Sequence, residues 1–174
     1  EPLAIVRKTL DQVLVILAKK ELSAQERARE VEELTAHRFD LETISRLVLA
    51  RRWKTFSPEQ REEFVEEFGT MLTRSYGARI TSYEQEKIAI LDHRFEPRGD
   101  LTVLTRVVGG TADGIEIDYR LRKNDDLWQV IDVFIEGISL VSSYRSQFAE
   151  ILSRGGPDEL LGMLREKNAA SAEG

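Results

Sequence analysis

DVFIEGISLVSSYRSQFAEIL, Asp132 to Leu152, changes its period partway along and with that decides the architecture. Up to Glu136 it reads as a strand, because Val130, Ile131, Val133, Phe134 and Ile135 crowd β-branched and aromatic residues together. Gly137 breaks the pattern, and Ser139 can accept the free N–H groups of a new first turn. From there Leu140, Tyr144, Phe148, Ile151 and Leu152 recur at helical spacing. Both faces of the strand are apolar, more than one buried face requires. That excess is the first sign of a domain that covers something besides itself.

Upstream of this joint the period is two. Four strands are expected near 87–96, 100–109, 114–124 and 127–136, separated by Pro97-Arg98-Gly99, by Gly109-Gly110 with Asp113-Gly114, and by Asn124-Asp125-Asp126. Such short connections imply antiparallel neighbours. The third strand sends Ile115, Ile117, Tyr119 and Leu121 one way and Glu116, Asp118, Arg120 and Arg122 the other, so it has one wet face.

Before the strands, residues 2–19 place Leu3, Val6, Leu10, Val13, Leu14 and Leu17 on one helical stripe. Ser23 caps a second helix, and Asp40 a short third one with Leu41, Ile44, Leu47 and Val48 inward. Ser57-Pro58-Glu59-Gln60 is a capping box with proline at the first helical position. The helix it opens carries Phe64, Phe68, Leu72, Tyr76 and Ile80 at a strict spacing of four. After the Ser139 helix, Gly155-Gly156-Pro157 stops and restarts the chain, and Leu160, Leu161 and Leu164 mark a last short helix. The small, polar tail 168–174 is expected to fray, leaving 1–167 as a single domain. Helices, then an antiparallel meander, then two more helices give an α+β order. A twisted four-stranded sheet with helices across its concave face would bury every stripe, and such a cone leaves an apolar cavity.

The 174 residues suffice for one domain with a substantial core, at 41% hydrophobic and 32% charged. A net charge of −6 argues against nucleic acid as a partner, since phosphate binding requires a basic stripe. The absence of cysteine excludes disulfides and thiolate chemistry and suits an oxidising compartment. No apolar run approaches the roughly 20 residues that span a bilayer. The first residue is Glu1 rather than Met, so a leader is expected to have been removed or omitted.

Catalytic chemistry is hard to assemble. The two histidines, His37 and His93, lie in charged surroundings and read as surface residues, and no cluster has metal-ligand spacing. Glu62-Glu63 and Glu66-Glu67 are solvated helix faces. Gly109-Gly110 lacks a strand-to-helix phosphate-binding context, and no serine sits in a nucleophile elbow. Asp132, among apolar residues, fits a general base in a greasy pocket, the reading that makes the chain an isomerase or dehydratase using Asp132 with a tyrosine. The plainer reading is a carboxylate satisfied by a backbone or arginine partner. The aromatic stripe Phe64, Phe68 and Tyr76 is equally open: at helical spacing it is either core or cavity lining.

DVFIEGISLVSSYRSQF resembles the signature of the MlaC or toluene-tolerance family of periplasmic phospholipid-binding proteins. Asp132, Val133, Glu136, Gly137, Ser139, Leu140, Val141, Tyr144, Arg145, Ser146, Gln147 and Phe148 all match it. FDLETISRLVLARRW, SPEQREEF, IDYRL and GPDELLGML extend the resemblance over most of the chain. Ala50 stands where the family often has glycine, and Ser143 where asparagine is frequent.

The resemblance implies an NTF2-like cone in which acyl chains insert between helices and sheet, in a periplasmic, monomeric carrier that needs no cofactor and is not an enzyme. It implies as partners an inner-membrane ABC transporter carrying an MCE-domain ring and an outer-membrane lipoprotein–porin complex, with glycerophospholipid shuttled between the membranes to maintain lipid asymmetry. A subgroup associated with hopanoid synthesis makes a hopanoid or other isoprenoid lipid the alternative cargo. Alternation and helical phase nominate Phe64, Phe68, Leu72, Tyr76, Ile117, Tyr119 and Val133 as slot residues, with Leu140, Tyr144 and Leu164 closing the slot from the C-terminal side. Arg145 is the candidate at the entrance; its structural alternative is an ion pair with Glu136 or Asp132.

Overall fold

The computed structural model describes residues 2–80 and 86–173, apart from the side chains of 77–80 and 171–173, so Ile80's side chain lies outside the described residues. Helices α1 (Pro2–Leu17), α2 (Ala24–Thr35) and α3 (Leu41–Leu49) come first. A 3-10 turn, Ala50–Thr55, leads into the long α4 (Pro58–Ile80). Strands β1 (Lys87–Phe95), β2 (Leu101–Val108), β3 (Glu116–Asn124) and β4 (Leu127–Ile135) follow, then a short β5 (Ile138–Ser139), α5 (Leu140–Arg154) and α6 (Pro157–Glu173). The sheet is an antiparallel meander in the order β1-β2-β3-β4-β5. The chain therefore has the expected α+β fold, with five strands instead of four.

The fifth strand comes from a reversal that reads in sequence as a simple break. Glu136 and Gly137 hold φ of 52° and 79°, and Ile135 pairs with Ile138 across them. Two successive positive φ angles characterise a primed two-residue hairpin turn, in which glycine meets no steric penalty and glutamate does. Glu136 is held there twice. Its N–H donates to the Glu116 carbonyl at 2.9 Å, and its Oε1 accepts the Glu116 N–H at 2.9 Å.

By Cα proximity the chain divides into two compact units, one of Glu1–Asp40 with Gly77–Leu140, the other of Leu41–Tyr76 with Val141–Gly174. In the first, α1 lays Val6, flanked by Leu3 and Leu10, on Leu101, Val103, Leu121 and Val130 of the sheet. A bulge opposes Arg120–Leu121 of β3 to Val130–Asp132 of β4, and Ile131 is the extra residue. Just before it, the Val130 N–H donates to the Arg38 carbonyl at 2.7 Å and the Val130 carbonyl accepts from Asp40 N–H at 3.0 Å. The bulge explains why both faces of β4 are apolar: Val130 and Ile131 are both buried.

The wet face expected on β3 is partly dry. Asp100, 1% exposed, receives both Nε and Nη2 of Arg122 at 2.8 Å and Nε of Arg120 at 3.3 Å. These cations are half-buried because they reach across the ladder to a buried anion, a partner that alternation cannot reveal.

In the second unit α3, the first part of α4, α5 and α6 enclose Ile44, Val48, Leu49, Phe56, Met71, Leu160 and Leu161. Gly69 is a close approach: a Cβ there would lie 2.9 Å from Leu41 Cδ1. The Ser57 capping box forms as read, with Gln60 N–H on Ser57 Oγ at 3.1 Å and Ser57 N–H on Gln60 Oε1 at 2.8 Å. Helix α6 continues past 168, where the sequence reading has a fraying tail. Asn168 is buried, its Nδ2 donating to the Glu67 carbonyl at 2.9 Å and to Glu67 Oε2 at 2.6 Å, while Arg74 reaches its carbonyl. Arg165 forks onto Glu63 one turn earlier. A polar seam to α4 keeps the tail helical.

Two stability measurements test these readings. Ala50, exposed, sits at φ 52° just beyond α3, in the conformation that helix ends usually give to glycine. The left-handed cost of about 1–2 kcal/mol exceeds the roughly 0.4–1 kcal/mol of extra unfolded-state freedom that glycine brings. Ala50→Gly is therefore expected to raise stability by up to about 1 kcal/mol in urea unfolding; a loss of stability would show that the angle carries no strain. Arg122's hydrogen bonds hold the Asp100 carboxyl below its ordinary range. Its folded pKa lies below the unfolded one, so the stabilisation is complete above the ordinary carboxylate pKa and fades as pH falls through the depressed value. Asp100→Asn is expected to cost about 2 kcal/mol at neutral pH and to flatten the acid limb of stability against pH. An unchanged acid limb would remove Asp100 from that account.

Candidate functional site: an aromatic ladder and its half-buried margin

The helical spacing of four in α4 and α5 produces interlocking rings. Phe64 and Phe68 stack with centroids 5.3 Å apart, and each meets Phe148 edge-on, at 5.8 and 5.5 Å. Tyr144 packs edge-on against Phe68 at 5.3 Å and lies 5.5 Å from Phe148. Phe56 closes the other end, 5.9 Å from Phe64. Residues i and i+4 share a helix face, so Phe64/Phe68 of one helix interdigitate with Tyr144/Phe148 of the other.

The ladder is graded in exposure. Phe64 and Phe68 are 0% exposed and Leu164 is likewise 0%, so these three candidates are core of their unit in this conformation. Leu72, Tyr76 and Tyr144 are half-buried, and the Tyr76 and Tyr144 hydroxyls lie 3.4 Å apart. The accessible margin of the ladder is therefore the end marked by those two tyrosines.

In the sheet unit Ile117, Tyr119, Val133 and Leu140 are also half-buried. Tyr119 stands opposite both Val103 and Val133, and Ile117 opposite Thr105 and Ile135, so they line one face of the ladder of strands. Tyr119 and Val133 pack at the edge of the core under α1. A shallow open depression of about 520 Å³ follows α1, lined by Leu3, Ala4, Arg7, Lys8, Asp11 and Gln12, and shares no residue with the candidates.

Asp132 is bonded to its own neighbourhood. It is 9% exposed, its Oδ1 accepts the Val133 N–H at 2.8 Å, and its Oδ2 accepts the Ser139 hydroxyl at 2.5 Å. The hydroxyl of Ser139 thus donates back to β4. Arg145, the entrance candidate, is exposed and bonds within its own unit. Its Nε and Nη2 donate to the Leu47 carbonyl at 2.9 and 2.7 Å, satisfying one of the last carbonyls of α3. A free carbonyl at a helix end attracts a guanidinium as a carboxylate does, and sequence spacing cannot tell the two apart.

Other features escaped the sequence reading. Asp118, half-buried, has its carboxyl pushed up by burial first and by Glu116's charge second. Trp53 is flanked by the guanidinium carbons of Arg46 and Arg61, 5.5 and 5.2 Å from the ring centre. Their spacing in the chain, seven residues before and eight after, gives no local signal. His37 and His93 are exposed. Among the described residues no group of three or more metal-ligating side chains is assembled, and no helix is long and apolar enough to cross a membrane.

Comparison with known proteins places this arrangement. The fold is similar to the phospholipid-binding protein from Ralstonia solanacearum, solved in complex with a phospholipid: TM-score 0.86, 27% identity, and 97% of each chain covered. In sequence the chain is 26% identical over 120 residues to the toluene tolerance protein ttg2D of Pseudomonas putida, covering 68% of this chain and 56% of that one. It is 28% identical over 133 residues to the intermembrane phospholipid transport system binding protein MlaC of Haemophilus influenzae, covering 73% of this chain and 61% of that one. The matches thus span less than two thirds of those relatives. The model of the MlaC protein family matches residues 7–166, and the chain belongs to that family.

Proposed function

We infer that this chain is a periplasmic phospholipid carrier that shuttles glycerophospholipid between outer and inner membranes, helping to maintain lipid asymmetry. One observation carries the reading: a structure of the same fold along 97% of both chains was solved with a phospholipid bound. The half-buried candidates are the residues we propose to touch acyl chains: Leu72, Tyr76 and Tyr144 in the helical unit, and Ile117, Tyr119, Val133 and Leu140 in the sheet unit. Phe64, Phe68 and Leu164 are core of the helical unit, and Phe68 packs directly on Tyr144. The partners in this reading are the inner-membrane ABC transporter with its MCE-domain ring and the outer-membrane lipoprotein–porin complex.

The physical chemistry of such cargo agrees. Two acyl chains of about 16 carbons cost on the order of 25 kcal/mol to expose, at ~0.8 kcal/mol per methylene. A carrier holding them works through an apolar lining and unloads by docking, because escape into water is too slow. Such a lining requires branched aliphatics and rings, and no nucleophile. Asp132, whose oxygens are engaged by Val133 and Ser139, serves the backbone in this reading.

Native mass spectrometry of protein purified gently from a lipid-rich cell, followed by solvent extraction, is expected to show a mass excess of one or two phospholipids. A clean apo mass would sink the carrier reading, and an extracted isoprenoid lipid would replace its cargo. Leu72→Asp, at a half-buried position, is expected to leave a folded protein that purifies without lipid. Asp132→Asn is expected to keep its lipid while losing about 1–2 kcal/mol of stability. Phe68→Ala is expected to cost about 3–5 kcal/mol, because it opens a hole in the ladder. If Leu72→Asp retains full lipid occupancy, the candidate margin is misassigned.

A further inference from the structure

Residues 46–61 carry five cations, Arg46, Arg51, Arg52, Lys54 and Arg61, against one acid, Glu59. The chain as a whole is −6, so the remainder is −10 and the cations form an island in an acidic protein. The 3-10 turn Ala50–Thr55 gathers them. With three residues per turn, Arg51 and Lys54 stand on the same side, and both are exposed. Trp53 anchors the turn: Arg46 and Arg61 lie over its ring, and Arg61 Nε also donates to the Trp53 carbonyl at 3.0 Å. Arg46 is shared with Glu42 at 3.0 Å. Among the described residues, Arg51, Arg52 and Lys54 have no carboxylate within ion-pair distance.

We propose that this turn is a docking surface for anionic phospholipid bilayers, with Arg51, Arg52 and Lys54 as the contacting cations and the Arg46–Trp53–Arg61 stack as their rigid mount. Charge complementarity selects the occupant. Exposed Arg51 and Lys54, with half-exposed Arg52 between them on one short turn, match a plane of anionic headgroups. The remaining −10 is repelled from an anionic surface, so attraction to it has to come from these cations. The inference goes beyond the carrier reading, since it concerns contact with a membrane surface and not the lipid held inside. The two are measured separately.

The test is co-sedimentation of the wild-type chain with phosphatidylcholine vesicles that contain or lack phosphatidylglycerol. Binding is expected only with the anionic lipid and is expected to vanish at high salt. Arg51→Gln/Lys54→Gln, at two exposed positions, is expected to lower the partition coefficient by roughly 25-fold, about fivefold per cation. Arg51→Glu/Lys54→Glu is expected to abolish binding. Lys167→Gln, an exposed cation on α6, is the control and is expected to bind as wild type, with circular dichroism melts confirming the fold of all variants. Equal binding to neutral vesicles, or partition unchanged in the double variants, overturns the proposal. So does a patch that ignores vesicles and retains an immobilised acidic polypeptide, lost in Arg51→Glu/Lys54→Glu, because it then serves a protein partner. Lipid content by native mass spectrometry is expected to be the same in every variant, which keeps failure here distinct from failure of the carrier reading.

Discussion

The reversal at Glu136–Gly137 is the constraint on which the C-terminal half of the molecule depends. Two residues in succession hold positive φ, and only the second is a glycine. The glutamate stays because its N–H and carboxylate both close on Glu116, twenty residues away in the chain. Immediately around it, Asp132 takes the Ser139 hydroxyl and so ties β4 to the residue that precedes α5. Asp132, Glu136, Gly137 and Ser139 thus do one job. They turn a strand into a helix within a few residues and leave no buried carboxylate unsatisfied.

Once α5 starts at Leu140, its phase is set, and Tyr144 and Phe148 meet Phe64 and Phe68 of α4. Each ring pair adds roughly 0.5–1.5 kcal/mol beyond the area it buries. The ladder is a rigid support at its phenylalanine end and becomes accessible at Tyr76 and Tyr144. In the carrier proposed above, this grading from closed core to half-buried margin keeps the walls held by contacts that a lipid does not supply.

Elsewhere the charged groups are used for joining. Asp100 draws in Arg120 and Arg122, Arg145 covers a carbonyl of α3, and Asn168 and Arg165 fasten α6 to α4. The cations around Trp53 differ, because three of them stay exposed or half-exposed without a carboxylate.

The chain's own pattern determined the helices, the strand limits to within a residue or two, the Ser57 cap and the antiparallel order. Each of these follows from short-range periodicity and turn chemistry, which act within a few residues. It also placed Phe64, Phe68, Tyr76 and Tyr144 on two helical stripes. Tertiary structure alone decided that Phe64 and Phe68 are sealed while Tyr76 and Tyr144 are half-buried, that Arg145 finds a carbonyl in place of a carboxylate, and that Asp100 rather than water receives Arg120 and Arg122. It also turned the Glu136–Gly137 break into a fifth strand and kept α6 helical through Glu173. In each case the deciding partner lies far away in sequence, and burial is a property of what packs on a side chain rather than of the side chain itself.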